Sequence, residues 1–310
     1  MSGIYGTYGF KTEVTPGTPV VADKFIPVLS AGFEVDEERL QSQGLRGRTF
    51  AGCVKPGRRT ISGEFETELF GVGIASMLKH MFGSVSTTGA GPYTHTYTPG
   101  NLGNLAFTAE EAIPNGAGTT YGFQFGGCKF TEWTMSASVG EFVTVSGNIS
   151  AQNVTTGITP AVASYADSCP FTFVEASLTL DGSPLAEAEA FSITMSNGLR
   201  TDSHRLGSRN IRNQSHNAFR EVTGEFEVEF TDLDLADLYL SGDDAALVVT
   251  LDNGTESIVV TLATIKLTGS LPSLDGPDVI KQTVPFMAYS ETADADVIEA
   301  VLINSESTAA

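Results

Sequence analysis

Between residues 60 and 69 the chain alternates apolar and acidic positions. Ile61, Phe65 and Leu69 share one face with Gly63 between them, and Glu64, Glu66 and Glu68 share the other. A period of two is that of a β-strand with one face buried. The pattern returns at 221–230, where Val222, Gly224, Phe226, Val228 and Phe230 oppose Glu221, Glu225, Glu227 and Glu229. The two segments share Gly-Glu-Phe-Glu, and each lies downstream of a Gly-Leu-Arg, at 44–46 and at 198–200. Apolar positions at helical spacing follow each strand: Ile74, Met77, Leu78 and Met81 end near Gly83, and Leu235, Leu238 and Tyr239 stop at Gly242. Asp232 or Asp234 is the expected cap of the second helix.

Further strands are expected at 93–97, 105–108, 129–139 and 141–151, the last two joined at Gly140. In the second half they fall at 190–195, 246–251, 257–268 and 279–289, with Gly276 in the closing turn. Both halves thus read as strand, long loop, acidic-faced strand, helix, strands and closing hairpin. The Gly-Leu-Arg to Gly-Glu-Phe spacing is 19 residues in the first half and 26 in the second. The extra length falls in the loop, where insertion costs little. This order predicts duplication with a period of about 150 residues, hence tandem domains rather than a solenoid. The expected divisions are an extended arm at 1–24, broken by Gly and Pro, a first domain at 25–152, a linker at 153–170, a second domain at 171–290 and an acidic tail at 291–310. The expected fold class is all-β with minor α: two β-barrel or sandwich domains, each with one short flanking helix.

Composition narrows the function. The 310 residues carry a net charge of −20. Residues 1–160 hold 10 basic and 13 acidic side chains, net −3; residues 161–310 hold 7 and 24, net −17. Such a field repels nucleic acid, although DNA can pass such a surface without being held. Cys53, Cys128 and Cys169 form no close pair, so they read as buried small apolar residues in a protein of a reducing compartment. The opening Met-Ser-Gly-Ile-Tyr-Gly has neither the basic start nor the apolar run of a signal peptide. The apolar stretch at 70–82 is too short to span a bilayer, so membrane insertion is not expected. Asn-x-Ser/Thr triplets begin at Asn148, Asn153, Asn213 and Asn253 and have no bearing without secretion.

Basic residues concentrate in the two long loops. The first holds Arg46, Arg48, Lys55, Arg58 and Arg59 with no acid between Gly44 and Ser62; the second holds Arg200, Arg205, Arg209, Arg212 and Arg220 with one acid, Asp202. Arginine prefers bidentate carboxylate partners, and this chain has carboxylates in excess. The loops therefore read as docking surfaces for acidic faces of another subunit, in preference to a solvated loop face or a nucleic-acid contact. The rows Glu64, Glu66, Glu68 and Glu225, Glu227, Glu229 have a carboxylate spacing that also suits glycoside hydrolysis, yet a strand's solvent face has the same form. His80, His95, His204 and His216 lack metal-ligand spacing. Gly71-x-Gly73 lacks its third glycine for a nucleotide loop, and no nucleophile elbow or metal-binding motif occurs. Neither catalysis nor a cofactor is expected. Trp133 reads as core.

At this point the chain resembles the tail tube (major tail) proteins of long, flexible, non-contractile phage tails. The resemblance rests on the Gly/Tyr-rich start with the stretch 8–19 (Tyr-Gly-Phe-Lys-Thr-Glu-Val-Thr-Pro-Gly-Thr-Pro), Gly-Leu-Arg-Gly-Arg at 44–48, Gly-Arg-Arg at 57–59 before the acidic strand, and the single helix within 71–83. It implies tube-like β domains whose sheets join edge to edge around a lumen, loops that stack on the next ring, and an acidic lumen that does not hold DNA. Glu64, Glu66, Glu68, Glu225, Glu227 and Glu229 become candidate lumen acids. Arg46, Arg48, Lys55, Arg58, Arg59, Arg200, Arg205, Arg209 and Arg212 become candidate inter-ring and inter-subunit groups. Two domains per chain imply trimeric rings with pseudo-sixfold symmetry. The implied partners are further copies of the chain, a tape measure protein, tail terminator and distal tail proteins, and DNA in transit; the implied location is the virion, after assembly in the host cytoplasm. A receptor- or glycan-binding β-sandwich of a virion surface is the alternative, weakened by the scarcity of loop aromatics (Phe50 and Phe219), and a carboxylate hydrolase on a jelly roll is a further rival.

Overall fold

A computed structural model describes residues 3–269, 271–272 and 279–308; the expected turn glycine Gly276 lies outside them. In the first half the strands are β1 (Thr7–Thr12), β2 (Lys24–Phe25), β3 (Ser30–Gln41), β4 (Val54–Glu68), β5 (Gly83–Thr88), β6 (Tyr93–Pro99), β7 (Phe107–Pro114), β8 (Thr120–Ser138), β9 (Thr144–Ala151) and β10 (Asn153–Ile158). In the second they are β11 (Ala176–Leu180), β12 (Ser183–Pro184), β13 (Ala188–Ser196), β14 (Glu221–Glu229), β15 (Ala245–Asp252), β16 (Ser257–Leu267), β17 (Lys281–Ala288) and β18 (Glu299–Asn304). Helix α1 (Ala75–Phe82) follows β4 and α2 (Asp234–Ser241) follows β14. Both helices stop at a left-handed glycine, Gly83 and Gly242, the residue that takes this conformation without a Cβ clash. The residue at the start of α2 is Leu233 rather than an aspartate; Asp232 instead accepts the N–H of Asp234 at 3.0 Å.

The pairing repeats as fully as the sequence motif. In the first half one layer runs β2–β1–β7–β8–β10 and the other β3–β4–β9–β8. In the second, β12–β11–β15–β16–β18 and β13–β14–β17–β16 reproduce both orders. β8 and β16 are each long enough to serve both layers of their half. All these pairs are antiparallel. The first half adds the β5–β6 hairpin, and β6 pairs with β18 of the second half. The halves also meet where β8 pairs with β13, Met135 opposite Ile193. One cluster of buried apolar residues runs through both, from Phe10 and Phe65 to Phe226 and Leu302. The fold is thus all-β with two helices among the described residues.

The repeated glycines have a packing reason. Gly63 lies beneath the ring of Phe33 from β3, and Gly224 beneath the ring of Phe286 from β17. A side chain at either position would enter the ring's space, and at Gly224 it would also meet the Ser192 carbonyl. Aromatic cover over a strand glycine restores the apolar area that the glycine lacks.

Three expected boundaries are corrected. Residues 7–12 are not an arm: as β1 they pair with β7, with Tyr8 and Phe10 buried, because two aromatic rings in alternation with polar residues have a core to fill. Glu13 then turns inward and accepts hydrogen bonds from Gly17 N, Thr108 Oγ1 and Gly127 N at 2.6 to 2.8 Å. Residues 153–158, expected as linker, form β10, and 299–304, expected as tail, form β18. Both strands lie beside the long shared strand of their half. Of the cysteines only Cys128 is buried; Cys53 and Cys169 are exposed, and all three are free thiols.

Candidate functional site

The layers that share the Gly-Glu-Phe-Glu strands join into one continuous antiparallel sheet, β3–β4–β9–β8–β13–β14–β17–β16. Its inward face carries Ile61, Phe65, Val145, Ile149, Trp133, Met135, Ile193, Phe226 and Val284 and is buried. The opposite face is polar and accessible along its whole width. Glu64, Glu225 and Glu229 are exposed on it, and Glu66, Glu68 and Glu227 half-buried. Glu221, expected on the acidic face, stands there too, and Glu34, Asp36 and Glu132, which were missed from the sequence, share the same face. The alternation Phe33-Glu34-Val35-Asp36 was the available signal for Glu34 and Asp36; Glu132 joins only through the β8–β9 register, opposite Asn148.

The register decides what these acids can do. Glu64 stands between Gly32 and Asn148, Glu66 between Ser30 and Ser146, Glu225 between Ser192 and Pro285, and Glu227 between Ala190 and Thr283. Glu68 faces Thr144 and Glu229 faces Lys281. No two of these six are directly opposed across a strand pair, which avoids like-charge contact and gives a diffuse negative surface bedded in hydroxyls. Thr134 and Thr194 share a hydrogen bond of 2.8 Å across the junction of the halves. Two lysines interrupt the field. Lys281 pairs with Glu189 and with Glu227 (3.1 Å), and both hydrogen bonds hold its ammonium above the usual lysine range. Lys266 pairs with Asp244 at 2.7 Å, which raises it likewise.

The long loops lie together at one end of this sheet. Loop 197–220 folds over the β3–β4 hairpin: Arg59 N donates to Arg209 O at 2.9 Å, and Glu37 gathers Arg39, Arg59 and Arg209. Arg58 binds Glu38 and Arg200 binds Asp202, and these hydrogen bonds hold both carboxyls below their usual range. Four of the nine candidate docking cations are therefore engaged inside their own chain. Arg46, Arg48, Lys55, Arg205 and Arg212 are exposed and have no ion-pair partner among the described residues.

Loop 197–220 is also pinned from beneath. Lys129 is buried in β8 and donates to Leu102 O, Gly103 O and Gln214 O at 2.6 to 3.0 Å. Burial draws its ammonium down to about 8, with Glu13 pulling the other way. Gln214, also buried, donates to Gly127 O and Ser150 O, and Asn197 to Met81 O and Phe130 O. Nothing in the local sequence singles out Lys129, because its acceptors are backbone carbonyls distant along the chain.

The last feature is an open edge. β13 is covered on both sides, by β14 and by β8. β3 occupies the matching place in the first half, Phe33 over Gly63 as Ile193 beside Gly224, yet it pairs only with β4. Among the described residues no strand covers its outer edge. Unpaired N–H and C=O groups on such an edge are a template for another strand.

An antiparallel β fold with a broad polar face and an uncovered strand edge bordering that face has the form of a structural building block. The chain belongs to the phage tail tube protein family, whose profile matches residues 6–288. Membership makes it a structural protein of the virion's tail tube and implies that it assembles with copies of itself. No curated relative matches the chain.

Proposed function

We propose that the chain forms closed rings of three copies, each copy supplying two tube-like domains, and that stacked rings make the conduit through which phage DNA leaves. The observation that carries this reading is the matched pair of strands β3 and β13. Inside the chain the β13 edge is satisfied by β8, which joins one half to the next. The β3 edge offers the same connection to the neighbouring copy, whose β16 ends the eight-strand sheet. A head-to-tail contact of this kind closes when its rotation divides the circle. Three chains then present six quasi-equivalent units, and the polar face becomes the wall of a wide barrel.

That wall would suit passage of a polyanion. Carboxylates repel phosphates, and the interleaved Ser and Thr hydroxyls hydrate the wall without binding a sequence. A tape measure protein within, and terminator and distal tail proteins at the tube ends, are the further partners the family relationship supports, with assembly in the host cytoplasm before incorporation into the virion.

Negative-stain microscopy and native mass measurement test the proposal. Rings of three copies with a central hole and six wall elements are expected; a species that stays monomeric at high concentration over varied salt would overturn it. Tubes assembled from a Glu64→Lys, Glu66→Lys, Glu225→Lys variant should retain DNA on a filter at low salt, where the parent lets it pass. Retention should fall steeply as salt rises.

A further inference from the structure

The two ends of the sheet differ in chemistry. At one end stands loop 42–53, the tip of the β3–β4 hairpin. Leu45 is fully exposed there and Phe50 is 84% exposed. Around them Arg46, Arg48 and Lys55 are exposed, and no acid occurs between Gly44 and Ser62. The hydrogen bonds at the tip are local: Ser42 N to Cys53 O, and Gly44 N to Ser42 Oγ. Unlike loop 197–220, this tip has no hydrogen bond or ion pair to a distant part of its chain among the described residues.

At the other end a groove of about 360 Å³ runs between the β11–β12 turn, the end of β14 and the start of α2. Its floor is apolar, with Leu185, Val228, Leu235 and Leu238, and its rim carries Asp181, Glu187, Glu229, Asp232 and Asp234; no basic residue lines it. A second groove of about 230 Å³ continues it, sharing Pro184 and Leu185. The strand register places loop and groove at opposite ends. β4 begins at the loop and ends at Glu68 opposite Thr144, Ser138 of β8 faces Ala190, and β13 begins beside the last residues of β14. One chain therefore cannot put its own loop into its own groove.

We propose that this groove receives loop 42–53 of a second copy of the chain, Leu45 and Phe50 resting on the apolar floor and Arg46 and Arg48 meeting Glu187 and Glu229. The match is double: an apolar tip with a basic collar meets an apolar floor with an acidic rim. The contact is head-to-tail, so it propagates along an axis instead of closing on itself. It also gives a place to part of the acid surplus of the second half. The inference rests on the stacked-tube reading and names the receptor that reading leaves open.

The test uses the full chain with a benzophenone amino acid in place of Phe50, isotopically mixed with parent chain under assembling conditions. Cross-linked peptides are expected within 180–187 or 228–238 of another copy. Cross-links elsewhere, with tubes still formed, would overturn the receptor assignment and leave the stacked tube standing; failure to form any ring or tube would overturn both. Independently, Arg46→Glu with Arg48→Glu should lower tube yield at least about tenfold. Adding Glu187→Arg with Glu229→Arg to the same chain should restore it, and a chain that folds but is not restored argues against the pairing.

Discussion

Replacing Val35 with proline is expected to abolish ring closure while leaving the subunit folded. The position follows from the direction of the backbone. Arg59 N–H points away from β3, toward Arg209 O, and donors alternate along a strand. Thr60, Ser62 and Glu64 therefore bond to β3, where Asp36, Glu34 and Gly32 stand opposite them. Ala31, Phe33 and Val35 in turn present their N–H groups to the open edge. The same parity holds in the second half, where Asn197 N donates to Thr131 O of β8. Proline at 35 removes one outward donor and sets its ring where the neighbouring strand would approach. Val35 is 42% exposed, so the folded subunit should lose only about 1 kcal/mol of stability. Glu34→Pro is the contrast: it deletes a donor to β4 and should destabilise the hairpin itself. Analytical ultracentrifugation separates the cases. A Val35→Pro chain that still forms rings would show that β3 is not the joining edge.

Replacing Lys129 with methionine should have the largest effect on the subunit itself. The stem volume is kept, but three carbonyls lose a charged donor; Leu102 O keeps the N–H of Leu105 and Gly103 O keeps the Asn213 amide, so Gln214 O is the one left without a partner. Each buried acceptor left without a partner costs on the order of 1 kcal/mol or more, and bonds to a charged donor are the stronger kind. A loss of about 2 kcal/mol is expected, lowering the unfolding temperature by roughly 3–5 °C. The specific readout is tryptic cleavage after Arg205, Arg209 and Arg212. Loop 197–220 is held by Lys129, Gln214 and Asn197, and without the lysine it should be nicked faster under native conditions. Gln214→Ala should move in the same direction by a smaller amount. A Lys129→Met chain with parental melting and parental cleavage would show that the ammonium does not anchor the loop.

Much of the β architecture was legible in the chain because a strand's two faces answer to local alternation. The Gly-Glu-Phe-Glu strands, both helices with their glycine stops, and the hairpin turning at Gly140 follow from patterns a few residues long. The strands misplaced as arm, linker and tail failed for the opposite reason. β10 is Thr- and Gly-rich, with Val154 and Ile158 as its large apolar residues, and its place is fixed by β8, which lies nearby only once the sheet exists. The acid rows were readable in the same way as the strands that carry them, but Glu132 was not, because it belongs to the face through register alone. The basic loops were readable as composition only. That Arg59 and Arg209 are already engaged depends on Glu37, a residue brought to Arg209 by folding.

Taken by itself, the sequence determined that one strand-and-helix pattern occurs twice, that each copy of the strand has an acidic face, and that cations gather in two loops. These are local properties of spacing and charge. Tertiary structure alone decided that β8 and β13 fuse the halves into one sheet, that β3 keeps an open edge, and that one loop is pinned while the other stands free. Those outcomes depend on hydrogen bonds between residues far apart in sequence, whose partners are backbone groups with no side-chain signature.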